Sequence, residues 1–126
     1  MYSEPRIATR SGTIAAIAGT VQTRAPCLIL LAALWNDDLA PQFAGRVRGR
    51  LFTDDLLRAI AAFSVGNLST FGVNDLRTVE RMLRERFASQ AVTITIETIR
   101  KLVDLIEVDD VADAIDILNR RARSAA

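Results

Sequence analysis

A helical period in the apolar residues after residue 50 constrains the fold of this chain most strongly. From residue 51 onward, apolar side chains recur at intervals of three and four residues in four successive stretches. This spacing places them on one face of an α-helix. Short polar or glycine-containing segments separate the stretches. Four amphipathic helices joined by short turns predict an all-α fold, a helical bundle.

Capping residues predict where the first of these helices begins and ends. Thr53 is expected to cap it, with Asp54 and Asp55 in the first turn, where the helix dipole favours acids. Gly66 and Asn67 are expected to end it, because both residue types are common just past a helix.

The other three helices have weaker boundary signals. Asn74 is expected to cap the second, the third is predicted from about Thr95 to Glu107, and the fourth opens at Asp109 or Asp110. Before the third helix, residues 92–96 alternate as a strand would. We interpret them as an extended connector, with a strand that pairs with another subunit as the alternative.

An apolar run of eleven residues, 25–35, differs from the amphipathic stretches because it is apolar on every side. It is shorter than the ~20 residues of a membrane span, so it predicts a buried helix. Pro26 fits the first turn of that helix. Cys27 is interpreted as a small buried hydrophobe, with a nucleophile as the alternative. The single cysteine, and a first 24 residues without a continuous apolar run, favour an intracellular setting.

The domain organisation is predicted as two parts of one domain. Residues 1–50 form an N-terminal arm, a small-residue helix over 13–23 and the buried apolar helix. Residues 51–126 form the four-helix bundle region. The face of Thr13, Ala16, Thr20 and Thr23 lets another backbone approach closely, either a nucleic-acid phosphate backbone or a neighbouring helix or subunit.

Motifs for chemistry are missing from the sequence. It contains no histidine, no Walker loop and no Gly-x-Gly-x-x-Gly, so we expect a non-enzymatic protein without a cofactor. Asp109, Asp113 and Asp116 share one helical face, which is interpreted as a solvated surface with Asp116 paired to Arg120 rather than as a metal site.

Charge is spread unevenly along the chain. The net charge is +1, yet residues 1–50 hold six arginines against three acids, and the last third is acidic. Residues 1–50 are therefore the part of the chain that would approach an anion. The bias to arginine over lysine is open to three explanations: a GC-rich genome, heat adaptation or phosphate binding.

Two arginine groups are candidates for phosphate contact. Arg46, Arg48 and Arg50 alternate, so an extended backbone would point all three one way. Residues 77, 81 and 84 form a helical stripe that we interpret as an ion-pair face with residues 80 and 85. The predicted nucleic-acid-binding residues are Arg6, Arg10, Thr13, Thr20, Arg24, Arg46, Arg48 and Arg50.

The overall plan resembles that of the α-helical capsid proteins of archaeal filamentous viruses, in which an arm and helix precede a bundle. The matching features are the arm with Arg6 and Arg10, the segment Thr13 to Thr23 ending at Arg24, and the bundle after residue 50. The resemblance covers the whole chain. It implies association with itself or a paralogous chain, DNA wrapped without sequence preference, and location in a virion. The acidic last third departs from a simple DNA binder; an acidic outer face with a basic inner face would reconcile the two.

Two functions follow from these patterns. The first is a structural nucleoprotein that oligomerises and coats nucleic acid through arginine–phosphate contacts. The second is a helical protein–protein interaction module, or a small subunit of a larger complex. Basic residues gathered on one surface favour the first, and an exposed leucine and isoleucine patch favours the second.

Overall fold

Every regular element in the described part of the chain is helical, which confirms the all-α prediction. A computed structural model describes residues 24–71 and 76–125. The α-helices are α1 (Ala25–Leu34), α2 (Ala40–Phe43), α3 (Asp55–Phe71), α4 (Leu76–Arg84), α5 (Ser89–Val103) and α6 (Val108–Ala125). Two 3₁₀ turns, Ala44–Arg46 and Gly49–Leu51, lie between α2 and α3. The predicted arm and small-residue helix lie outside the described residues.

Helix α1 forms the centre of the core, as its composition predicts. Leu30, Leu31, Ala32 and Ala33 are 0% exposed. The helix contacts α3, α5 and α6, so its apolar side chains are covered on all sides. Pro26 lies in the first turn, where its missing N–H interrupts no hydrogen bond. Within the described residues, no helix is both long enough and apolar enough to cross a membrane.

Two buried or half-buried polar side chains fix the C-terminal end of α1. The Trp35 indole Nε1 donates a hydrogen bond to Ser64 Oγ of α3 at 3.0 Å, with both groups buried. The Asn36 side chain donates from Nδ2 to the carbonyl oxygen of Val103, the last residue of α5, at 2.9 Å. The ends of α1 and α5 therefore lie side by side, next to the turn that leads into α6.

The predicted start of α3 is wrong by one residue. Asp54 Oδ1 accepts a hydrogen bond from the backbone N–H of Leu57 at 3.0 Å, so Asp54 caps the helix instead of Thr53. Both residue types cap well, and the sequence alone does not choose between them. Asp55 then occupies the first turn as expected.

The predicted end of α3 is also wrong. The helix continues through Gly66 and Asn67 to Phe71. One glycine costs only about 1 kcal/mol in a helix interior. On this helix Leu57 and Ile60 are buried and Leu68, after the glycine, packs against the core, which outweighs that cost.

Residues 92–96 are helical, so the predicted extended connector is wrong. Helix α5 begins at Ser89, and Val92, Ile96 and Ile99 are buried at helical spacing, whereas Ile94 is 57% exposed. Their β-branched side chains lower helix propensity only slightly. Burial of one helical face is worth more than that preference.

The predicted end of α5 is wrong, whereas the start of α6 agrees closely with the sequence. Helix α5 ends at Val103, four residues before the predicted Glu107. Helix α6 opens at Val108, one residue before the predicted start. The backbone N–H of Glu107 donates to Asp110 Oδ2 at 2.8 Å, so an acid in the first turn stabilises this end. Asn74, the predicted cap of α4, lies outside the described residues.

Candidate nucleic-acid interface

The structure describes four of the eight predicted nucleic-acid-binding residues. Arg24, Arg46, Arg48 and Arg50 lie in the described part of the chain, and all four are exposed. Arg6, Arg10, Thr13 and Thr20 lie outside the described residues.

The segment with Arg46, Arg48 and Arg50 is not extended throughout, which corrects the geometry expected from alternation. Arg46 and Arg50 lie in two separate 3₁₀ turns, and only Val47 and Arg48 between the turns have extended backbone. Backbone hydrogen bonds run from Leu51 to Arg48 and from Phe52 to Gly49. Leu51 and Phe52 are both buried. An extended chain would point consecutive side chains to opposite faces, whereas a turn allows both to reach the core.

The three arginines therefore differ in their surroundings. The Arg46 guanidinium lies over the Phe43 ring, 5.7 Å from its centroid. Arg48 Nη1 donates to the carbonyl oxygens of Gly45 at 2.7 Å and Val47 at 3.0 Å. Arg50, in the second turn, is exposed.

The surroundings of Cys27 show which groups lie near the start of α1. Burial raises the pKa of the Cys27 thiol from 9.0 to about 11. The positive charge of Arg121 lowers this pKa, the negative charge of Asp54 raises it, and Arg24 lowers it. These three charged residues are therefore close enough to Cys27 to act on its thiol. A protonated, buried thiol is a poor nucleophile, which favours the interpretation of Cys27 as a core hydrophobe.

Helix packing brings further arginines to the same end. Arg121 lies near the C-terminal end of α6, so α1 and α6 run in opposite directions. The turn Gly49–Leu51 contacts both α6 and α3, just before Asp54. We call this end of the bundle the basic end; its residues are Arg24, Arg50, Arg120, Arg121 and Arg123. Arg121 is half-buried and the other four are exposed.

Two acids near the basic end, Asp54 and Asp55, have partners within the chain. Asp54 caps α3, and the Asp55 carboxylate accepts a bond from Arg58 at 3.1 Å. On α6, Arg120 Nε donates to the main-chain carbonyl of Asp116 at 3.4 Å, so the predicted pair with the Asp116 carboxylate does not form.

Acidic residues collect at the opposite end of the bundle. Asp37 and Asp38 follow α1, and the hydrogen bond from Asn36 to Val103 places them beside the α5–α6 turn. That turn and the start of α6 carry Asp104, Glu107, Asp109 and Asp110. Six acids therefore lie at the end of the bundle opposite Arg24 and Arg121.

The arginine stripe of α4 has a structural role. Glu80 pairs with Arg84 at 3.1 Å and with Arg100 of α5 at 2.6 Å. Arg84 also donates to Thr93 Oγ1 at 2.8 Å. These bonds join α4 to α5 and confirm the predicted pairing of Glu80 with Arg84. Arg81 and Glu85, the other expected pair, form no ion pair in the described structure.

Sequence reasoning missed Arg120, Arg121 and Arg123. They follow seven acids in the last third of the chain, whose net charge is negative. A count over a sequence window therefore hides them. Their concentration in the last turns of a helix was the available signal, but that pattern is also what a helix dipole favours. Among the described residues, no group of three or more acids or cysteines is arranged to hold a metal ion.

Comparisons with protein-family models, with curated proteins and with solved structures gave no match. The resemblance to filamentous-virus capsid proteins therefore stays a prediction.

Proposed function

We propose that this chain is a non-enzymatic structural nucleoprotein, which oligomerises and coats nucleic acid through arginine–phosphate contacts. One observation supports the proposal above others. Arginines from three distant segments, at Arg24, at Arg50 and at residues 120–123, lie at one end of the bundle.

The chemistry of this end suits phosphate. The planar guanidinium donates two parallel hydrogen bonds to phosphate oxygens. Six acids lie at the far end, and Asp54 and Asp55 accept bonds from within the chain. A surface of one sign attracts the polyanion over a distance and binds it without reading bases.

The proposal includes association with a second copy or a paralogous chain, as the capsid resemblance implies. A coat requires many copies along one strand. In this form of the proposal, the chain is a filamentous virus capsid protein. The arm with Arg6 and Arg10 adds phosphate contacts from outside the described residues.

The alternative is a helical protein–protein interaction module or a small subunit of a larger complex. It would expose a contiguous apolar surface. Among residues 24–68 and 77–124, whose side chains the structure describes, the large apolar side chains that are exposed are Ile94 and Val108, on different helices. No specific observation favours this alternative over the nucleoprotein.

The first test is whether the purified protein carries nucleic acid, read from its 260/280 nm absorbance ratio. The second is fluorescence anisotropy with a labelled duplex across a salt series. The variant with Arg46, Arg48 and Arg50 all changed to Ala should bind every sequence more weakly. The binding constant K falls as the salt concentration rises. Each phosphate contact that is lost should make the line of log K against log salt less steep by about 0.9.

A second variant tests the basic end directly. This variant carries both Arg50→Ala and Arg123→Ala, so it lacks two exposed guanidinium groups from different segments. Its line of log K against log salt should be less steep than that of the parent. Arg81→Ala is the control, because it removes an exposed arginine of α4 that is not one of the residues of the basic end. If the parent protein binds no nucleic acid in a salt-dependent manner, the proposal is wrong.

A further inference from the structure

An open cleft lies between the first half of α3 and the turn that follows α4. Its volume is about 470 Å³, which is within the ~300–1,000 Å³ of typical ligand sites. The described residues that line it are Asp55, Arg58, Ala59, Ala62, Arg86 and Phe87. The cleft combines two guanidinium groups, one carboxylate, an aromatic ring and two methyl groups.

Arg58 is held in place by three hydrogen bonds. Its Nε and Nη2 donate to the carbonyl oxygen of Phe52 at 3.2 and 2.8 Å, and its Nη1 donates to Asp55 Oδ1 at 3.1 Å. These bonds fix the guanidinium at the mouth of the cleft, so little side-chain entropy is lost when a ligand binds there.

Arg86 is the cation available to an anionic ligand. Its guanidinium carbon lies 5.9 Å from the ring centroids of Phe63 and Phe87. No carboxylate of the described residues pairs with it. The two half-buried rings hold the cation beside an apolar surface, the arrangement that binds flat rings next to charged groups.

A nucleotide matches these features group by group. Its phosphate is the anion for Arg86, and its base is a flat ring for Phe87 and the alanine methyls. An amino group on the edge of a base can donate to a carboxylate such as Asp55. Only an unpaired, unstacked base presents its face and its Watson–Crick edge together, because a duplex covers the faces by stacking and that edge by pairing.

The cleft also adjoins the basic end. The charge of Asp54, like those of Arg24 and Arg121, lies close enough to the Cys27 thiol to change its pKa. The next residue, Asp55, lines the cleft. Consecutive Cα atoms are about 3.8 Å apart. The lining residue Asp55 is therefore the direct chain neighbour of a residue that lies close to Arg24 and Arg121.

We propose that this cleft binds one unpaired nucleotide of the coated strand, and that the nucleic acid is single-stranded. This inference rests on the proposed function, since it names the kind of nucleic acid that the nucleoprotein would coat. The basic end supplies affinity for any phosphate backbone, and the cleft supplies the preference for unpaired bases.

The test compares a fluorescein-labelled DNA strand of mixed sequence with the same strand annealed to its complement. Binding is measured by anisotropy for the parent, Arg86→Gln, Phe87→Leu and the control Arg81→Gln. We expect the parent to prefer the single strand. Arg86→Gln and Phe87→Leu should each weaken single-strand binding by about fivefold, the lower end of one base–aromatic stack, and leave duplex binding unchanged.

Opposite results separate the two proposals. If the parent binds duplex as tightly as single strand, or if the two variants weaken both forms equally, the cleft proposal is overturned while the nucleoprotein proposal stands. If neither form binds, both are overturned. Circular dichroism checks whether the Phe87→Leu variant folds. Arg86→Gln changes an exposed side chain, so it tests the proposal even if Phe87→Leu does not fold.

Discussion

The central position of α1 leads to a quantitative expectation for Leu31→Ala. Leu31 is 0% exposed and lies on the helix that contacts α3, α5 and α6. The change removes three carbon atoms, which at about 0.8 kcal/mol per buried methylene corresponds to about 2.4 kcal/mol of transfer free energy. Neighbours on all sides restrain collapse into the cavity, which adds to the loss. We expect the free energy of unfolding to fall by about 3–5 kcal/mol.

Urea denaturation followed by tryptophan fluorescence measures this change. Trp35 is the chain's only tryptophan, it is buried, and its indole is bonded to Ser64, so its emission should shift on unfolding. Ile94→Ala is the matched control, because it shortens an aliphatic side chain that is 57% exposed. It should alter stability by no more than about 0.5 kcal/mol.

Either of two results would contradict this expectation. A loss below about 1 kcal/mol for Leu31→Ala would mean that α1 is not the core of the monomer. A loss for Ile94→Ala as large as that for Leu31→Ala would mean that the outer face of α5 is buried in solution, in contact with another chain.

Three further changes test other parts of the structure. Ser64→Ala leaves the buried Trp35 N–H without its acceptor and should cost about 1–3 kcal/mol by thermal denaturation, with a smaller loss in a Trp35→Phe background. Glu80→Gln weakens two partly exposed ion pairs and should cost less than about 1 kcal/mol, a difference that added salt diminishes. Cys27 has a folded pKa of about 11 against 9.0 in an exposed thiol, so the unfolded state loses its proton first as pH rises. Stability should therefore fall between about pH 9 and pH 11 more steeply in the parent than in Cys27→Ala; equal slopes in urea denaturation would contradict this.

The sequence by itself determined the class of fold and the identity of the central helix. Helical spacing is a local property, because residues three and four apart share a face whatever the rest of the chain does. The run 25–35 is apolar on every side and too short for a membrane, so burial in the core was the remaining solution. The start of α6 was predicted within one residue because acids in a first turn act locally.

Tertiary structure decided where local signals compete with burial. Gly66, Asn67 and the β-branched run at 92–96 each oppose a helix by about 1 kcal/mol or less per residue. Burying one face of α3 or α5 contributes several times that amount, and both helices run through those residues.

The candidate interface depended on tertiary structure most of all. Arg24, Arg50 and Arg121 are far apart in the chain, and the last of them stands in an acidic region. Their proximity follows from the opposite directions of α1 and α6 and from the 3₁₀ turn packed between α6 and α3. The cleft at Arg58 and Arg86 likewise forms only where α3 meets the turn after α4. The net charge of a sequence window sums residues that are neighbours in the chain. A ligand instead contacts residues that are neighbours in space, and helix packing determines which residues those are.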